Sequence, residues 1–123
     1  MDKVIHFEIP YDDKSRAMRF YGEVFRWKLT DMPEMKYVVA ESFAAGEAMP
    51  RESGAINGGL FERPKEAPHP VIYIGVASIG PAIDRVTRAG GKVITPRTPI
   101  PGMGAFARIA DTEGNVVGLF ETD

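Results

Sequence analysis

Residues 4–9, Val-Ile-His-Phe-Glu-Ile, alternate apolar and polar side chains and run into Pro10. A period of two predicts a strand, with Ile5, Phe7 and Ile9 on one face and His6 and Glu8 on the other. The period then lengthens. Asp12 and Asp13 can cap a helix that runs to about residue 25. Ala17, Phe20, Tyr21, Val24 and Phe25 fall at helical spacing within it, a stripe expected to pack on a sheet as core. Residues 27–30 read as a short strand ended by Pro33. Residues 35–43 read as a longer one, with Tyr37, Val39, Glu41 and Phe43 on one face. The composition of residues 44–53 predicts a loop. Residues 54–62 form a fourth strand, where Gly54, Gly58 and Gly59 suggest a bulge or a close approach.

Residues 63–70 hold three prolines and make a semi-rigid linker. Beyond it the plan repeats. Residues 71–76 are a strand. Residues 78–89 are a helix with Ile79, Ala82, Ile83, Val86 and Ala89 inward, Pro81 in its first turn and Gly90-Gly91 at its C-terminus. Residues 92–95 are a strand, 97–104 a Pro/Gly loop, 105–110 a strand, 111–114 a turn and 115–121 the last strand. The tail Gly118-Leu119-Phe120-Glu121 echoes Gly59-Leu60-Phe61-Glu62. Such an echo marks an internal repeat. The expected fold is therefore α+β: a first βαβββ module over residues 1–62, the linker 63–70, and a second module over 71–123, joined as one compact domain.

Composition narrows the function classes. A net charge of −2 implies no basic surface for nucleic acid. The absence of cysteine removes disulfides, thiolate nucleophiles and cysteine zinc sites. No stretch reaches the ~20 apolar residues of a membrane span. The first residues lack the apolar run of a signal peptide, so a cytoplasmic protein is expected.

Several residues together carry a resemblance: His6, Arg16 with Phe20-Tyr21, Val24-Phe25-Arg26-Trp27, Gly90-Gly91, and Asp111-x-x-Gly114-Asn115. In this order across two βαβββ modules they resemble the vicinal oxygen chelate superfamily. It includes glyoxalase I, bleomycin-resistance proteins, fosfomycin-resistance enzymes and extradiol dioxygenases. His-Phe-Glu-Ile-Pro and Ile-Pro-Gly-x-Gly are similar to patterns in its small bacterial glyoxalase-like members. The resemblance covers essentially the whole chain. It implies paired modules with curled, mixed or antiparallel sheets forming a cleft, a small-molecule ligand and a homodimer. In metal-dependent members, four inward side chains from the first and last strands of both modules hold one divalent ion, which acts as a Lewis acid.

Carried over position by position, that ligand set is largely missing. His6, fourteen residues before Phe20, matches the first ligand position. Its counterpart in the second module is Val71, and the last-strand positions are Gly59 and Gly118. Glu62 and Glu121 lie three residues further on, so alternation turns them to the opposite face. One histidine is too few for a zinc, nickel or iron site, so a divalent metal is disfavoured and no cofactor is expected, although Glu8 or the linker's His69 would add a ligand.

Two functions remain. His6 and Glu8 on one face can serve as an acid–base pair in a metal-free lyase or isomerase acting by proton transfer, or as a hydrogen-bonded pair lining an inert cavity. Alternatively the protein sequesters a drug-like molecule, as bleomycin-resistance proteins do, with Tyr73, Phe61 and Phe120 as an aromatic box. Gly59 and Gly118 beside the phenylalanines read as room for a planar ligand. Arg108 can meet an anionic substrate or form a surface salt bridge, and Met103 lies in a segment that can act as a lid. Asp111 and Asn115 read as turn chemistry.

Overall fold

In the computed structural model, which describes residues 1–43 and 54–122, the chain runs β1 (Lys3–Tyr11), α1 (Lys14–Phe25), β2 (Lys28–Met32), β3 (Tyr37–Glu41), β4 (Gly58–Glu62), β5 (Val71–Gly75), α2 (Ile79–Arg88), β6 (Lys92–Ile100), β7 (Gly104–Ala110) and β8 (Val116–Thr122). This is βαβββ twice, an α+β fold. The loop expected at residues 44–53 lies outside the described residues. Contacts gather His6–Pro70 into an N-terminal unit, and Met1–Ile5 with Val71–Asp123 into a C-terminal unit.

In the N-terminal unit the strand order is β2-β3-β4-β1, with β1 and β4 parallel and the other pairs antiparallel. Glu8 stands opposite Gly59, Val39 opposite Gly59, and Tyr37 opposite Phe61. One sheet face therefore carries His6, Glu8, Tyr37, Val39, Gly59 and Phe61. The other carries Val38, Ala40 and Leu60, all at 0% exposure, and α1 packs on that side against β2 and β4. Two strands differ from expectation at their starts. Pro33–Met35 form a 3-10 turn that delays β3 to Tyr37, and Gly54 has a φ of +86°, outside β4. Asn57 Oδ1 accepts the amides of Ser42 and Phe43, joining the chain on either side of residues 44–53.

Asp13 caps α1 by accepting the Arg16 amide at 3.0 Å. The expected apolar stripe is a different matter. No residue of α1 is buried, and Phe20, Val24 and Phe25 are 52%, 53% and 55% exposed. The half-buried residues are Lys14, Ala17, Met18, Tyr21 and Gly22, so at about 100° per residue the helix is rotated to one side of the stripe, leaving Phe20 and Val24 off the sheet-facing side and Phe25 at the helix end. Ala17 and Tyr21 are half-buried, and the Tyr21 ring stacks on Trp27, which in turn meets Phe7. The expectation that Phe20, Val24 and Phe25 form core is corrected accordingly.

The linker is tied down by a side chain. Arg63 Nε donates to Asp12 at 2.9 Å, another guanidinium nitrogen donates to the Pro68 carbonyl, and Ala67 is buried.

In the C-terminal unit the order is β5-β8-β7-β6, with β5 and β8 parallel. Ile79 and Ala82 of α2 bury against Ala105, Ala107, Ile109 and Leu119, with Ile83 and Val86 beside them. Ser78 precedes α2, but its hydroxyl makes no capping bond. Glu121 replaces it, accepting the Ile79 amide at 2.6 Å while Arg97 donates to its other oxygen at 2.7 Å. Glu121 is thus on the helix-facing side of β8. At the other end, Gly90 takes a φ of +97° and the Gly91 amide returns to the Val86 carbonyl.

The segment at residues 97–104, expected as a loop, is mostly strand. β6 runs to Ile100 along the outer edge of β7, with register shifts between Val93 and Thr95 and between Thr95 and Thr98. An edge strand with bulges tolerates Pro96 and Pro99, because neither needs to donate on its solvent side. Only residues 101–103 remain as a turn.

Candidate functional site

The helix-free sheet face of the N-terminal unit brings together His6, Glu8 and Tyr37. His6 Nε2 lies 2.8 Å from the Tyr37 hydroxyl and 3.9 Å from Glu8 Oε2. His6 is half-buried, and Glu8 is the one charged side chain in the buried set of the described residues. Burial holds the imidazole below its ordinary value of 6.5, partly opposed by the neighbouring Glu8 carboxylate. The ring is therefore neutral at neutral pH and has a nitrogen able to accept a proton.

Tyr37 and His6 sit on β3 and β1, with β4 between them. The phenol reaches across because residue 59 has no side chain: a Cβ there would lie 2.0 Å from the Tyr37 ring and hydroxyl. The C-terminal unit repeats the device in the opposite direction. Tyr73 on β5 lies over Gly118 of the middle strand β8, where a Cβ would be 2.3 Å from its ring. Its hydroxyl accepts Arg108 Nε from β7 at 3.0 Å. The Arg108 guanidinium also stands 5.5 Å from the centre of the Phe106 ring.

The expected room over Gly59 and Gly118 is therefore filled by the chain's own tyrosines. Phe61 is buried at the end of β4, and Phe120 is half-buried on the same face of β8 as Gly118. Arg108, read from the sequence as an anion contact or a surface ion pair, is held by a phenol and an aromatic face. Met103 is exposed at the tip of the three-residue turn, its amide bonded to the Ile100 carbonyl and Gly102 at a φ of +76°. Residues 101–103 form a tight turn between β6 and β7. His69 is exposed in the linker. Asp111 accepts the amides of Glu113 and Asn115 and the Asn115 side chain, which holds its carboxyl below the usual range. Tyr37 was not singled out from the sequence. Its signal was present in the shared parity of residues 37, 39 and 41, together with a glycine in the strand that separates it from His6.

The profile of the Glyoxalase/Bleomycin resistance protein/Dioxygenase superfamily matches residues 3–119. The chain belongs to this superfamily. A Mycobacterium bovis protein with a glyoxylase name, CFP32, is 30% identical over 119 residues. That match takes in 90% of this chain and 42% of the mycobacterial protein, so the chain spans less than half of its length. A glyoxylase-like domain-containing protein of Didymella fabae is 31% identical, over 88% of this chain and 84% of its own. Among solved structures, methylmalonyl-CoA epimerase from Mycobacterium tuberculosis shares the fold with a TM-score of 0.62 at 14% identity, covering 98% of this chain and 87% of its own.

For a glyoxalase superfamily member, the donor set here does not fit a divalent metal. His6 is present, but Gly59, Val71 and Gly118 offer no donor atom, and tyrosine rings occupy the volume beside both glycines. Among the described residues, no three of His, Cys, Asp or Glu come together around one point. Glu121, which would otherwise attract notice, is engaged with α2 and Arg97.

Proposed function

We propose that this glyoxalase superfamily member moves a proton on a small molecule, as an isomerase or lyase, with His6 and Glu8 as the acid–base pair. The observation that carries the reading is the 2.8 Å contact of Tyr37 with His6 beside a buried carboxylate. A neutral imidazole accepts a proton, a carboxylate accepts or returns one, and the phenol holds the ring nitrogen in place. The fold likeness to methylmalonyl-CoA epimerase is compatible with such chemistry, since an epimerase inverts a carbon centre. The donor set argues for a route that uses side chains alone. A homodimer in the cytoplasm belongs to the same reading.

The test is hydrogen exchange. Protein in D2O is incubated with a panel of 2-oxo acids and short acyl thioesters, and deuterium gain beside the carbonyl is followed by proton NMR. Exchange by the native chain, lowered about 10²-fold or more in Glu8→Gln and in His6→Ala, is expected. Exchange equal in both variants and the native chain would overturn the assignment.

A second reading is favoured by the other unit. Phe106, Arg108 and Phe120 are half-buried and share one sheet face with the buried Tyr73, whose hydroxyl fixes Arg108; the three form an aromatic and cationic surface suited to holding a planar anionic molecule without chemistry. Saturable binding of a panel compound with no exchange, abolished by Tyr73→Ala, is the outcome that selects it.

A further inference from the structure

We propose that the Tyr37 hydroxyl is the donor that holds a ligand's negatively charged oxygen in this site, and that the substrate is a carbonyl compound with a hydrogen on the neighbouring carbon. This deepens the proton-transfer reading and rests on it. The starting point is one ring nitrogen. The Tyr37 hydroxyl at 2.8 Å and a Glu8 carboxylate oxygen at 3.9 Å both lie toward the same atom, His6 Nε2. Two electron-rich oxygens on one side of a neutral imidazole favour the tautomer that carries its hydrogen there. That N–H donates to the phenol oxygen, so the phenol's own hydrogen is directed to an acceptor other than His6. A hydroxyl that accepts one hydrogen bond becomes a better donor of the next.

Tyr37 is half-buried over Gly59 and shares its sheet face with Val39 and the buried Phe61. Apolar surroundings make a fixed donor more effective than it is in water. The charge then moves in one direction across the face. Glu8 takes the hydrogen from the carbon beside the carbonyl. The C–H electron pair becomes the second bond between the two carbons, and the carbonyl π pair moves onto oxygen. Negative charge leaves the carboxylate, now protonated, and arrives on the substrate oxygen, to which the Tyr37 hydroxyl donates without giving up its proton. Return of the proton from Glu8 to carbon restores every group. While Glu8 is ionised it repels an oxyanion on this face, and once protonated it does not. The site therefore holds a charged oxygen best at the moment when the base has done its work.

Titration with 4-nitrophenol provides the test, because its anion carries charge on one oxygen and is followed by its visible absorbance. Glu8→Gln imitates the protonated carboxyl. Tyr37→Phe removes the hydroxyl and keeps the ring over Gly59. Glu8→Gln is expected to bind the anion about tenfold or more tighter than the native chain, and the double variant with Tyr37→Phe to lose that gain. With the carbonyl panel, Tyr37→Phe alone is expected to lower deuterium exchange about 10²-fold. If Tyr37 only steadied His6, the phenylalanine would leave anion binding in the Glu8→Gln background unchanged, and that result overturns the proposal. So does a Glu8→Gln chain that binds no anion. Exchange absent from the native chain, with the 4-nitrophenol result intact, would overturn the proton-transfer reading and leave the donor role of Tyr37 standing.

Discussion

The Tyr37 hydroxyl reaches His6 Nε2 at 2.8 Å only because Gly59, on the strand between them, has no side chain. Gly59→Ala is the direct perturbation of that relationship. Its Cβ would lie 2.0 Å from the tyrosine, so the ring must leave or the strand must shift. The expected cost is about 1–3 kcal/mol, as for other overpacked sites. In a double-mutant cycle with Tyr37→Ala, the cost of Gly59→Ala falls to nearly nothing, a strong non-additivity measurable by urea denaturation. Additive effects would mean that the two residues are not coupled.

His6 gives a pH dependence with a definite sign. Its folded-state value is lowered by burial, so the unfolded chain takes up a proton at a higher pH than the folded one. Stability is full above the ordinary value of 6.5 and declines as pH falls from there toward the folded-state value. His6→Gln should flatten the denaturation midpoint across that window. A midpoint that falls equally steeply in the variant would assign the effect to other groups.

Glu121 gives a second, separate window. Its carboxyl is held below the ordinary 4.5, first by the Ile79 amide and then by Arg97. Its contribution is present above that ordinary value and is lost as pH falls through the lower folded-state value. Glu121→Ala should lower the thermal midpoint at neutral pH and weaken hydrogen-exchange protection in the first turn of α2. It should also remove part of the acid sensitivity below pH 4.5. Unchanged protection at Ile79 would show that the cap is dispensable.

Much of the fold was legible because both halves carry the same signals: alternation in residues 4–9, helical spacing near 79–89, and the Asp111 to Asn115 turn. What was not legible depended on neighbours. The width of the α1 stripe was visible, but which part the sheet would cover was not. Pro96 and Pro99 looked like loop until the edge position of β6 made them harmless. Arg26, at the C-terminus of α1, takes the left-handed conformation usually left to glycine, at a φ of +59°. At the candidate site, His6 and Glu8 were readable from parity alone. Tyr37 and the Tyr73–Arg108 pair needed register, since each contact spans a strand whose glycine only reveals its purpose when the ring above it is seen. The glycines read as empty space, because sequence shows the missing side chain and not its replacement.

Proton transfer by side chains, without a metal, is the reaction we propose here. Its most direct test is deuterium exchange into the best panel substrate after exhaustive dialysis against a strong chelator, with residual metal measured on the same sample. Full retention of the exchange rate at negligible zinc, nickel, cobalt, manganese and iron, and its loss in Glu8→Gln, is the predicted result. Exchange that disappears on dialysis and returns in proportion to one added divalent ion would contradict the account.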